Sequence, residues 1–190
     1  HLAADGPPAL PARRGHRSAG RDRRILGLQM SFPERFYRWR PHPWHGLEPG
    51  PGAPEVVQAY IELTPFDLMK YEVDKVTGYL RIDRPQPSSS QPPTLYGFIP
   101  QTYGDDNDPL DVLVLMQEPT VPLSILRVRP IGMMTMVDQG QNDEKIISVH
   151  LDDPEYRDYV AIQQIPQHRL RELRRFFEDY KQLEQKDVDV

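Results

Sequence analysis

Four carboxylates directly precede an apolar run of strand length in Tyr103-Gly104-Asp105-Asp106-Asn107-Asp108-Pro109-Leu110-Asp111-Val112-Leu113-Val114-Leu115. Like charges this close repel and raise one another's pKa, so a folded protein tolerates them mainly where a cation neutralises the cluster. The chain has no cysteine, and clustered carboxylate oxygens favour Mg2+, Mn2+ or Ca2+ over zinc. The segment therefore predicts an oxygen-ligand metal site beside a buried strand, with magnesium as the first choice. A solvated acidic turn at the start of a strand remains the alternative.

A second acidic set follows 27 residues after Asp111, at Asp138 and Asp143, with Lys145 two positions further on. The pattern predicts a loop over residues 138–143 between strands at Ile125–Val137 and Lys145–Leu151. Taken alone, this set is typical of an ordinary polar hairpin.

The rest of the chain predicts more strands first and helices last. β-Branched and aromatic residues predict a strand at Val56–Leu63, and Thr77-Gly78 predicts the turn of a hairpin between Tyr71–Asp74 and Tyr79–Asp83. Apolar residues at helical spacing then predict an amphipathic helix that begins near Pro166. They are Leu170, Leu173, Phe176, Phe177, Tyr180 and Leu183. A shorter helix is predicted from Pro154, with Asp152 or Asp153 as its cap.

Composition excludes several classes of protein. The chain has 190 residues and a net charge of −5, which fits one domain and argues against a general nucleic-acid binder with a basic face. Its apolar runs are all shorter than the roughly 18 residues that a membrane span needs, so we expect a soluble protein.

The composition of the N-terminal segment differs from that of the rest of the chain. Its first 29 residues hold six arginines and few large apolar groups, which predicts disorder. A transit peptide, a native extension and a segment added upstream of a natural start at Met30 all remain open.

Several separated motifs, in order, resemble the soluble inorganic pyrophosphatases of the Mg-dependent, β-barrel type (family I). The Asp106-to-Val112 segment resembles the family's Asp-x-Asp-Pro-x-Asp-Val signature. The other matching segments, between about Ala59 and Glu184, are Ile61-Glu62-Leu63, Lys70-Tyr71-Glu72, Asp83-Arg84, Tyr96-Gly-Phe98-Ile99, the loop with Asp138, Asp143 and Lys145, and Phe176–Lys181. The chain departs from the family at Pro92, where a further tyrosine is common, and it stops at Val190, where many relatives continue.

The resemblance implies a mainly β fold: an OB-fold-like closed five-stranded β-barrel with flanking α-helices. It divides the chain into a largely disordered or irregular extension over residues 1–55 and a pyrophosphatase domain over residues 56–190. The implied activity is hydrolysis of inorganic pyrophosphate to two phosphates, by in-line attack of a metal-activated water and without a covalent intermediate. The implied cofactor is Mg2+.

The resemblance also assigns roles to residues. Asp108 is implied to be the general base that receives the proton of the attacking water. The implied metal ligands are Asp106, Asp111, Asp143, Asp138, Glu62 and Glu72. The implied phosphate-binding residues are Lys70, Arg84, Tyr96, Lys145, Tyr180 and Lys181. Helical spacing separately predicts that Tyr180 faces inward.

Two other functions remain open at this point. One is a metal- or nucleotide-binding barrel that has lost turnover, and the other is a single-stranded nucleic-acid binder, since the implied barrel resembles the oligonucleotide-binding fold. The acidic cluster argues against the second. We expect pyrophosphate as the binding partner, no nucleic acid, no membrane, a homo-oligomer (hexamer or dimer) and a cytoplasmic location.

Overall fold

The computed structural model describes residues 24–25, 28–29, 41–86, 91–181 and 188–189. The chain divides into two compact units, His1–Trp39 and Arg40–Val190. In the first, β1 (Arg24–Ile25) pairs with β2 (Leu28–Gln29) in an antiparallel arrangement. Most of the segment predicted to be disordered lies outside the described residues, and the domain boundary at residue 56 stays a prediction.

The second unit is mainly β. It contains β3 (Val57–Leu63), β4 (Met69–Val73), β5 (Leu80–Pro85), β6 (Leu95–Phe98), β7 (Asp111–Leu115), β8 (Ile125–Asp138), β9 (Gln141–His150), a 3-10 turn (Ile162–Gln164), α1 (Gln167–Asp179) and β10 (Val188–Asp189). The predicted strands and the long C-terminal helix are confirmed, with shifts at their ends; Leu183, the last residue of the predicted helical pattern, lies outside the described residues.

Five strands of this unit pair in a cycle. β3 pairs with β6, β6 with β7, β7 with β9, β9 with β8, and β8 again with β3. All of these pairs are antiparallel except β7 with β9, which is parallel. Gly97 permits the close contact of β3 with β6, because a methyl group on it would lie 1.9 Å from the carbonyl oxygen of Tyr60.

The predicted hairpin forms as a separate two-stranded sheet, β4 with β5. Asp74 accepts hydrogen bonds from the backbone N–H and the hydroxyl of Thr77, and Gly78 has φ of 75°. A side chain at Gly78 would also meet the ring of His42 at 2.9 Å, so glycine is required there for two reasons.

The prediction of a loop over residues 138–143 is wrong. β9 begins at Gln141 rather than Lys145, and only Gln139 and Gly140 form the turn, both with positive φ. A two-residue turn of this kind matches the twist of the flanking strands, so the strands continue through polar residues that had predicted a loop.

The predicted helix from Pro154 does not form; residues 154–158 are turns. Asp153 does accept the backbone N–H groups of Glu155 and Tyr156, as a cap would, but it also accepts that of Gln117. The bond to Gln117 ties the segment to a distant loop. Within the described residues, α1 is therefore the single α-helix rather than one of several.

The core lies on both faces of β7. Leu113 and Leu115 pack in a cluster with Phe177 of α1, whereas Val112 and Val114 pack with the interior residues of β3. Burial on both faces explains why the sequence of this strand is a continuous apolar run.

Among the helices of the described residues, none has the length and apolar character that a membrane span requires.

Candidate active site

One open pocket of about 200 Å³ collects nearly all the residues singled out in the sequence. Those that line it are Glu62, Lys70, Glu72, Tyr96, Asp106, Asp108, Asp111, Asp138, Asp143, Lys145, Tyr180 and Lys181. Arg84 is the one predicted site residue that does not line this pocket. The sequence motifs, which span about 120 positions, therefore meet in space.

Strand register brings the central group together. Asp111 on β7 lies directly opposite Lys145 on the parallel strand β9, and Asp143 lies two residues before Lys145 on the same face. The Lys145 ammonium donates to Asp111 Oδ2 at 2.6 Å and to Asp143 Oδ1 at 2.8 Å. Tyr96 on β6 donates its hydroxyl to Asp111 Oδ2 at 2.5 Å.

This group is buried, and burial and the neighbouring charges together shift its pKa values. Only 1% of the Lys145 side chain is exposed. Burial alone lowers the pKa of Lys145, but the attraction of Asp111 and Asp143 outweighs it, so that the pKa lies above its usual value. Burial raises the pKa of Asp143 despite the adjacent lysine. Burial and the Asp111 carboxylate raise the pKa of Tyr96 well above its ordinary value, so its hydroxyl stays protonated and can donate.

The end of α1 forms a second wall. Tyr180 is buried against Phe176 and Phe177, which confirms that it faces inward, and Lys181 forms an ion pair with Asp138 at the end of β8. Burial raises the pKa of Tyr180, with a further contribution from Asp138. The second carboxylate oxygen of Asp138, Oδ1, is buried and has no hydrogen-bond partner among the described residues.

The hairpin β4–β5 supplies a third wall. Lys70 forms ion pairs with Glu72 and with Asp83, the latter at 3.4 Å. Burial alone raises the pKa of Glu72, but Lys70 and Arg81 together hold it below its ordinary value. Arg84 donates to Asp83 Oδ2 at 2.6 Å, and its guanidinium carbon lies 5.9 Å from the ring centre of Tyr180. Arg84 thus lies near the wall that Tyr180 forms.

Glu62, on β3, is the most deeply placed acid of the pocket. Its residue is 8% exposed, and its Oε1 accepts the backbone N–H of Val73 at 2.6 Å. Burial raises the pKa of Glu62 to about 8. At neutral pH, without a bound cation, this side chain is therefore mainly protonated.

The acidic loop between β6 and β7 forms the mouth of the pocket. Asp106 Oδ1 accepts the backbone N–H of Asp108 at 3.0 Å, and Asn107 adopts φ of 68°. Asp108 itself, with 39% of its side chain exposed, forms an ion pair with Lys75. Lys75 and Trp44 also line the pocket, and the sequence reasoning missed both. Trp44 lies in a proline-rich segment and Lys75 in a turn, and neither position carries a local signal of this contact.

The donor set suits a hard divalent cation. All six predicted ligands are carboxylates that line one pocket. Asp138 Oδ1 is a buried oxygen without a hydrogen-bond partner in the described part of the chain, and a cation could satisfy it. The side chains are not arranged as a finished coordination shell: within the described residues, no group of three His, Asp or Glu side chains stands ready to hold a metal. Lys145, Lys181 and Lys75 instead lie against the carboxylates.

Comparisons with known proteins agree on one family. A family model described as inorganic pyrophosphatase matches residues 59–190. The chain is 58% identical over 149 residues to a soluble inorganic pyrophosphatase of Solanum tuberosum, covering 78% of this chain and 71% of that one. It is 54% identical over 156 residues to a soluble inorganic pyrophosphatase of Chlamydomonas reinhardtii, covering 82% and 81%. The crystal structure of inorganic pyrophosphatase from Thermus thermophilus matches with a TM-score of 0.73 at 38% identity, covering 76% of this chain and 84% of that one.

Proposed function

Because this chain belongs to the inorganic pyrophosphatase family, it hydrolyses pyrophosphate to two phosphates, and we propose that it does so in the pocket described above. The observation that carries this proposal is the alternation of acids and cations on the pocket wall, where Asp111 and Asp143 flank Lys145, and Asp138 contacts Lys181. A substrate made of two phosphates and accompanied by divalent cations requires both charge signs within a few ångströms.

We infer that Mg2+ is the cation, held directly by Asp106, Asp111 and Asp143. Asp138 contributes to further metals, and Glu62 and Glu72 act directly or through water. Bound divalent cations neutralise the phosphates and lower the pKa of coordinated water. The unpartnered oxygen of Asp138 and the raised pKa values of Glu62 and Asp143 support this assignment, because both features mark acids in need of positive charge.

Asp108 is the proposed general base. In the reaction, the water oxygen attacks one phosphorus in line, the bond from that phosphorus to the bridging oxygen breaks, and a water proton passes to the carboxylate of Asp108. The second phosphate leaves with the bridging oxygen, and no covalent intermediate forms. The exposed position of Asp108 at the pocket mouth supports this role, since a base must reach the water that it activates.

The remaining polar residues bind the phosphates. Lys70, Lys145 and Lys181 supply positive charge, and Arg84 can bind two phosphate oxygens at once. Tyr96 and Tyr180 donate hydroxyl hydrogen bonds, and their raised pKa values support this because both hydroxyls keep their proton. Arg84 does not line the pocket, so its role requires that its side chain turn toward the substrate.

Finer features of the assembly stay proposals. The cycle of strand pairings supports an OB-fold-like closed five-stranded barrel. A homo-oligomer, either hexamer or dimer, and a cytoplasmic location remain predictions.

The test of this function is release of phosphate from pyrophosphate with and without Mg2+, comparing the wild type with Asp108→Asn and Asp105→Asn. Asp105 is the matched control, because it lies in the same loop but is exposed and does not line the pocket. We expect Asp108→Asn to lose about 100-fold or more in kcat while still binding Mg2+, and Asp105→Asn to remain active. Full activity in Asp108→Asn would remove the base assignment, and no phosphate release from the wild type would remove the function.

A further inference from the structure

We propose that Lys75, at the tip of the β4–β5 hairpin, is a further substrate-binding residue. Its ammonium group pairs with Asp108 before substrate arrives, and it then leaves Asp108 and pairs with a phosphate of the bound pyrophosphate. This inference rests on the proposed function. It assigns Lys75 two linked effects: it binds the entering anion, and by leaving Asp108 it frees that carboxylate to accept the water proton.

Lys75 differs in exposure from the other lysines of the pocket. The side chain of Lys145 is 1% exposed and lies between two carboxylates, and those of Lys181 and Lys70 are 12% and 15% exposed. The side chain of Lys75 is 50% exposed. Among the pocket lysines, Lys75 is therefore the one with the most room to change its conformation, and its flexible four-carbon stem suits a moving charge.

Its backbone, in contrast, is held in place. The carbonyl oxygen of Lys75 accepts a hydrogen bond from His42 Nε2 at 3.1 Å, and Asp74 closes the turn by accepting from Thr77. The tip of the hairpin thus stays at the pocket while the side chain is free to reorient.

The segment that contains His42 also contacts the opposite side of the pocket mouth. Two residues after His42, Trp44 donates from its indole N–H to the carbonyl of Thr102 at 2.8 Å and stacks on Tyr103 with ring centres 6.0 Å apart. Tyr103 in turn donates to Asn107, next to Asp108, at 2.8 Å. Residues 42–44 therefore set the distance between hairpin tip and acidic loop, so that Lys75 faces Asp108 across the entrance.

The pair is suited to exchange. Ion pairs between partners as exposed as Lys75 and Asp108 are weak, whereas a hydrogen bond from an ammonium to a phosphate carries a larger charge and is stronger. An entering pyrophosphate therefore competes successfully for Lys75. A neutral residue at this position would remove the attraction for the substrate and would also leave the acidic mouth with one positive charge fewer.

Loss of the Lys75 charge should therefore weaken the binding of pyrophosphate and strengthen the binding of Mg2+, and these opposite effects can be measured separately. The variants are Lys75→Met and Lys75→Arg, with Val76→Ala as the matched control, because Val76 is the neighbouring tip residue and is 88% exposed. The measurements are KM and kcat for pyrophosphate at saturating Mg2+, and the Kd of Mg2+ alone by calorimetric titration of protein without substrate.

For Lys75→Met we expect KM to rise about tenfold, as for the loss of one charged hydrogen bond, while Mg2+ alone binds more tightly. Lys75→Arg should retain most of the wild-type KM, and Val76→Ala should match the wild type in both measurements. An unchanged KM in Lys75→Met, or a parallel weakening of substrate and Mg2+ binding, would overturn the inference. If the wild-type protein releases no phosphate, the proposed function fails. If the wild-type protein releases phosphate and Lys75→Met has the same KM and the same Kd for Mg2+, only the proposed role of Lys75 fails.

Discussion

Replacing Lys145 with methionine tests whether the pocket is built around competition between lysine and metal cations. Methionine keeps the length and most of the volume of the side chain, so the main change is the loss of the ammonium group. That group lies 2.6 Å from Asp111 and 2.8 Å from Asp143. Its removal leaves two neighbouring carboxylates without their cation.

The magnitude follows from burial. Breaking a fully buried ion pair by removing one partner costs about 3–5 kcal/mol. The carboxylates of Asp111 and Asp143 are 23% and 15% exposed, so solvent reduces the penalty to about 2 kcal/mol in metal-free protein. For a chain of this length, this corresponds to a fall in Tm of about 4–8 °C.

Thermal unfolding in a chelator and again in saturating MgCl2 measures the effect. We expect Mg2+ to raise the Tm of Lys145→Met by more than that of the wild type, because the cation stabilises the native state through the freed carboxylates. Arg127→Met is the control, since its pair with Asp152 is 65% and 61% exposed and should contribute little. An equal deficit of Lys145→Met with and without Mg2+ would refute the reasoning, because the loss would then reflect packing alone.

Two further predictions concern stability. Burial raises the pKa of Glu62 from 4.5 to about 8, so between these values the native state holds more protons than the unfolded chain, and stability falls as pH rises. In metal-free protein, Glu62→Gln should flatten the pH dependence of Tm across this window; a slope equal to that of the wild type would contradict the assignment. Leu123 has φ of 74° and is half exposed, so Leu123→Gly should stabilise by about 0.5–1 kcal/mol through relief of left-handed strain. Val121→Gly, at an exposed residue outside the left-handed region, should show no such gain in denaturant unfolding, and equal effects of the two substitutions would exclude strain as the cause.

Sequence and structure agree most closely where the deciding interactions are local. The spacing of Leu173, Phe176 and Phe177 predicted one buried face of α1, and those residues are buried. The Thr77-Gly78 turn predicted the hairpin, because a turn depends on a few adjacent residues. The helix expected from Pro154 did not form, although its cap residue Asp153 was suitable. There, Asp153 also accepts the backbone N–H of Gln117, 36 positions away, through its other carboxylate oxygen, and no local pattern predicts that contact.

By itself, the sequence determined the family, the acidic segment before β7 and the chemical character of the pocket, because residue types and their order along the chain suffice for these. Only the tertiary structure decided that Lys145 sits between Asp111 and Asp143, since the parallel register of β7 and β9 joins positions 34 residues apart. It also decided that Trp44 and Lys75 reach the pocket mouth. Contacts of this kind depend on how distant strands and turns pack, and no local pattern of residues encodes that packing.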